Sequence, residues 1–74
     1  MDHMIGQLLT PREEEIARFV AAGLSNKQIA RKANIREATV KNLLHRAYKK
    51  LGIANRSTLA VMAMSGAGAR GQGQ

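Results

Sequence analysis

Thr10-Pro11-Arg12-Glu13 and Ser25-Asn26-Lys27-Gln28 have the same form, and only a short stretch of chain separates them. Each is a capping box. The Ser or Thr oxygen accepts the N–H of the third helical residue, and the Glu or Gln there reaches back to the cap's own N–H. Helix signals of this kind punctuate the chain, and strand signals are missing. Pro11 sits at the first helical position, where its missing N–H costs nothing. Ile16, Phe19 and Val20 mark one apolar face of that helix, and Gly23 is placed to end it in a left-handed cap. The second box opens a shorter helix with Ile29, Ala30 and Ala33 facing inward, and Asn34 suits the turn after it.

A third helix is expected from Glu37 to Leu51, with Gly52 as its stop. At about 100° per residue, Val40, Leu43, Leu44, Ala47 and Leu51 fall within one arc of roughly 100°. Lys41, Asn42, His45, Arg46 and Lys49 cover the opposite arc, so one side is core and the other basic. Asn55 can cap a fourth helix through Thr58, carrying Leu59 to Met64. The pattern predicts a compact all-α domain of four helices, at about 11–22, 26–33, 37–51 and 56–64. Residues 8–64 form the domain. Residues 1–7 are expected to be a flexible segment, either native or with a vector-derived junction at His3-Met4. The Gly-rich 65–74 has no periodicity and is expected to stay disordered.

A fold of about 60 residues buries only about 60% of its unfolded surface, which leaves little room for an enzyme pocket. No Ser/His/Asp set or phosphate loop occurs, and Glu13-Glu14-Glu15 lacks a second functional group. Its expected role is to favour the helix N-terminus, with Glu13 in the capping box. No enzyme and no cofactor are therefore expected. Cys is absent and His3 and His45 lie far apart, so no metal site is expected either. No apolar run approaches the ~18 residues of a membrane span and no signal pattern opens the chain, so a cytoplasmic protein is expected.

The formal charge of +7 is unevenly spread. Arg12 and Arg18 against Asp2, Glu13, Glu14 and Glu15 leave the chain before Asn26 at −2. Between Lys27 and Arg56, nine basic side chains face Glu37 alone, a net of +8. An anionic partner is expected at the middle of the chain, either nucleic acid or a lipid surface.

Two helices joined by a three- or four-residue turn, the second basic and amphipathic, describe a helix-turn-helix. Here they are 26–33 and 37–51. Asn34-Ile35-Arg36 is the turn, and Ile35 is the apolar residue that would plug it into the core. In such a motif the second helix enters the major groove. From Leu9 to Ala63 the chain resembles the LuxR-type (FixJ- or GerE-type) helix-turn-helix domain of bacterial transcription regulators. "LTPRE", "GLSNKQIA", "TVKN", "KKLGI" and "NR" carry the resemblance, in order and at the family's spacing. It departs at Arg36, where a capping Ser is usual, and at Leu43, where His is common. Losing that cap costs about 1 kcal/mol, partly offset by Glu37 in the first turn.

The resemblance implies sequence-specific binding of double-stranded DNA and transcription regulation, with base contacts from Lys41, Asn42 and His45. The helical wheel independently puts these three on the exposed arc near the start of the helix. Lys41 suits guanine O6 and N7, and Asn42 suits adenine N6 and N7. Phosphate contacts are expected from Thr39, Asn26, Lys27, Arg46, Lys49 and Arg56. Asn26 and Lys27 stand in the first turn of the second helix, where free amides attract phosphate. Tyr48 is expected to pack or flank rather than stack on a base.

"LAVMAM" (Leu59 to Met64) is apolar on every side; Leu59 and Ala63 should face the core, leaving Val61 and Met64 outward. The resemblance implies a homodimer on DNA through this helix, spanning an inverted repeat, with RNA polymerase as a further partner. It also implies an effector domain cut from a larger regulator or a free-standing small member. Two other readings compete. "TVKNLLHRAYKKL" is similar to the promoter-reading helix of sigma-factor region 4, although that region normally lacks a fourth helix. A basic module for a protein or membrane surface would need apolar residues that the third helix already commits to the core.

Overall fold

The computed structural model describes residues 8–72. Four helices follow one another: α1 (Pro11–Ala21), α2 (Asn26–Ala33), α3 (Glu37–Leu51) and α4 (Arg56–Gln72). No strand occurs among the described residues. The expected segment 1–7 and the final Gly73 and Gln74 lie outside them.

Both capping boxes form. Thr10 Oγ1 accepts the Glu13 N–H at 3.1 Å, and Glu13 Oε1 accepts the Thr10 N–H at 2.9 Å. Ser25 and Gln28 exchange the equivalent pair at 3.2 and 2.8 Å. At the start of α3, Arg36 makes no side-chain cap bond, the defect its sequence predicts. Asn55 Oδ1 opens α4 by accepting both the N–H and the hydroxyl of Thr58, each at 2.9 Å.

The first three helices end by one device. A residue with positive φ follows each: Gly23 at 90°, Asn34 at 59° and Gly52 at 69°. The next residue, Leu24, Ile35 or Ile53, donates its N–H to a carbonyl five positions back, Phe19, Ala30 or Tyr48 respectively. Each of these apolar residues also packs against the core. Left-handed residue and apolar successor therefore stop a helix and fasten the outgoing turn at once.

The core holds Ile16, Ala17 and Val20 of α1, Ile29 and Ala30 of α2, Val40, Leu44 and Ala47 of α3, and Leu59 and Ala63 of α4. Leu43 and Leu51 are half-buried at its edge. Helix α1 is central, packing on both α3 and α4, while α2 lies against α3. Leu44 and Ile29 are buried as expected.

Helix α4 corrects one boundary: it continues to Gln72, where the pattern placed its end at Met64. Nothing after Met64 stops a helix. No Pro follows, and Ala67 and Ala69 favour the continuation. Gly66, Gly68 and Gly71 each cost about 1 kcal/mol against Ala in a helix, which weakens the extension without forbidding it.

Candidate nucleic-acid interface

The site is the outer face of α3 with the first turn of α2 beside it. Burying Val40, Leu44 and Ala47 turns Lys41, Asn42, His45, Arg46 and Lys49 to solvent, and all five are exposed. Thr39 is exposed near the start of the helix and Lys27 near the start of α2, while Asn26 is half-buried. Asn26, Lys41, His45 and Arg56 come together with Leu44 and Tyr48 around one shallow depression of about 200 Å³. Thus two residues expected to read bases and two expected to hold phosphate share one concavity. Asn42, Arg46 and Lys49 do not line it; they lie elsewhere on the exposed face of α3. Tyr48 packs against the core as well as lining the depression.

The electrostatics of this face follow from where the acids are. Among the described residues, each ion pair takes its carboxylate from α1: Arg12–Glu15 at 2.9 Å, Arg18–Glu14 at 3.8 Å and Lys50–Glu13 at 2.7 Å. Lys27, Arg31, Lys32, Arg36, Lys41, Arg46 and Lys49 have no ion-pair partner among those residues. A solvated cluster of like charges is raised in energy by its own repulsion, and a polyanion relieves it.

Two features escape a reading by sequence pattern. Glu13 is buried, with 2% of its surface exposed, and it holds Lys50 from a position 37 residues away. Burial pushes its carboxyl up, but hydrogen bonds from Lys50 and from the Thr10 backbone outweigh that and hold it below the ordinary glutamate range. The second is Arg56. Its guanidinium donates to Asn26 Oδ1 at 2.6 Å and to the Leu24 carbonyl at 2.7 Å. Both links span more than 29 positions, and only the fold reveals them.

Val61 and Met64 are the exposed large apolar residues of α4, at 61% and 57%. Leu59 and Ala63 of the same helix are buried, as their spacing requires. Among the described residues no group of three or more His, Cys, Asp or Glu gathers at metal-binding range, and no helix is long and apolar enough to cross a membrane.

Residues 7–63 match the family model "Bacterial regulatory proteins, luxR family". The chain belongs to the LuxR family of bacterial regulatory proteins. It is 45% identical over 53 residues to the nitrate/nitrite response regulator protein NarL of Escherichia coli (strain K12), covering 72% of this chain and 24% of that protein. The putative HTH-type transcriptional regulator YhjB of the same organism is 44% identical over 54 residues, covering 73% and 27%. A third relative is the putative HTH-type transcriptional regulator Mb0914c of Mycobacterium bovis, 45% identical over 51 residues and covering 69% and 6%. The matched chain thus spans about a quarter or less of these relatives. No solved structure gives a significant match. LuxR-family membership decides against the sigma-like alternative and makes the chain a DNA-binding regulatory domain, not an enzyme.

Proposed function

We propose that this LuxR-family domain reads double-stranded DNA sequence-specifically by placing α3 in the major groove. One observation carries the reading: α3 buries Val40, Leu44 and Ala47 on one face and exposes on the other a basic face without ion-pair partners among the described residues. A helix of this kind fits the groove, where exposed side chains meet base edges. Lys41, Asn42 and His45 make those contacts. Lys27 and Asn26 at α2, with Thr39, Arg46 and Lys49 on α3, hold the flanking phosphates. Arg56 stands behind Asn26 at the same end of the site.

A lipid-binding role would need the apolar face of α3, and that face is consumed by the core. Two domains pair on DNA through α4, with Val61 and Met64 at the contact and two copies of α3 in successive major grooves, about 34 Å apart. The whole protein regulates transcription in the bacterial cytoplasm, with RNA polymerase as its further partner and this domain as effector. Selecting bound duplexes from a random pool tests the reading. It predicts a consensus with two inverted half-sites at a fixed spacing and an affinity that falls steeply with salt. Recovery of an unselected pool, bound equally at every spacing, would refute it.

A further inference from the structure

We infer that Arg56 is a positioning residue, which fixes the Asn26 amide so that its NH2 group faces the phosphate backbone. The inference rests on the DNA-reading function proposed above and adds how one of its contacts is set. A guanidinium has donors only, so the Asn26 atom 2.6 Å from Arg56 Nη1 is the carbonyl oxygen. The amide's two donors therefore point the other way. Nδ2 has no hydrogen-bond partner among the described residues, and no side-chain N or O there is both buried and unpartnered, so Nδ2 faces solvent. It stands on the first residue of α2, whose early N–H groups favour an anion.

Without Arg56, the amide could present its oxygen outward as readily as its nitrogen, and an outward oxygen repels a phosphate. The second arm of the fork accounts for the rigidity. Arg56 Nη2 donates to the Leu24 carbonyl at 2.7 Å, so the side chain spans the turn before α2 and the helix itself. Arg56 also opens α4, which makes the first turn of the proposed pairing helix the support for the phosphate-holding end of α2. Lysine in its place keeps the charge but cannot present two parallel donors to two acceptors.

The test is a double-mutant cycle on a duplex bound by the unsubstituted domain, read as affinity and as salt slope. Asn26→Ala should weaken binding to all duplexes about tenfold, the share of one hydrogen bond to a charged group. Because Asn26 is neutral, the salt slope should not change. Arg56→Lys should weaken binding to a similar extent, again at constant slope. In the Asn26→Ala background it should have no further effect. Arg56→Gln should likewise leave the slope in place, whereas a direct phosphate ligand would lower it by about one unit.

Losses that multiply in the double variant, or a lowered slope for Arg56→Gln, would make Arg56 a phosphate ligand in its own right and overturn the proposal. So would unimpaired binding by Asn26→Ala, a variant that keeps the Ser25 cap and the Leu24 link whether or not the Arg56 variants fold. Failure of the unsubstituted domain to bind any duplex would instead overturn the underlying function, and this inference with it.

Discussion

Lys49 and Lys50 are neighbours on α3, yet they belong to opposite halves of the molecule. Lys50 donates to the buried Glu13 of α1, while Lys49 is exposed with no ion-pair partner among the described residues. The same division runs through the fold. Around α1, charge is paired and serves stability; on the exposed faces of α2 and α3 the basic side chains have no ion-pair partner among the described residues. Small domains have stabilities of only about 5–15 kcal/mol, and unmatched like charge lowers that margin. The supporting half must therefore carry the stability that the reading half gives up. It follows that substitutions on the two sides should separate folding from binding.

The largest effect should come from the core that α1 shares with the inner face of α3. Leu44 keeps 4% of its surface exposed, and Leu44→Ala should cost about 2–5 kcal/mol in denaturant unfolding, through lost transfer energy and a cavity. A loss below 1 kcal/mol would mean that the core is looser than its packing implies.

A smaller and pH-dependent effect should follow Glu13→Gln, which retains the capping geometry and removes the charge that holds Lys50. We expect about 1 kcal/mol at neutral pH, since half of the pair is solvent-exposed. The Glu13 carboxyl lies below its ordinary value of 4.5 when folded. Its contribution is thus complete above the unfolded value and disappears as pH falls through the lower folded one. Melting curves of the two proteins should converge in acid and separate toward neutral pH. Separation that grew in acid would reverse the sign and contradict the pairing.

Charge introduced on the exposed face of α4 should leave stability within about 0.5 kcal/mol, as surface substitutions usually do. Val61→Glu should nevertheless abolish cooperative binding to two half-sites while sparing a single one. Cooperativity that survived it would place the pairing surface elsewhere. The smallest effect should belong to the chain after Met64. Deleting residues 65–74 should leave the melting temperature unchanged, because three glycines make the end of α4 a poor helix on its own account. A large drop would show that the extension is part of the fold.

The boundary between what sequence discloses and what it hides is physical. Thr10 and Ser25 could be identified as caps because a capping box is completed within four residues. Val40, Leu44 and Ala47 could be identified as core because helical spacing alone brings them onto one face. By the same spacing Lys50 falls outside the basic arc, but nothing local says that Glu13 receives it. The Arg56–Asn26 link is hidden for the same reason: it depends on how α4 meets α2, not on either segment. The end of α4 beyond Met64 is hidden because a Gly-rich composition lowers helix stability by degrees and sets no sharp stop.

The division between halves finally requires a division within α3 itself, between side chains that read bases and those that hold backbone. Comparing Lys41→Ala with Lys49→Ala, by duplex selection and by salt titration, addresses that most directly. Lys41→Ala should cost about 1–3 kcal/mol on the best site alone and relax the preference at one or two base positions. Lys49→Ala should weaken all duplexes alike and lower the salt slope by about one unit. A Lys41→Ala protein that selected the unchanged consensus would contradict the assignment of this face of α3 to base reading.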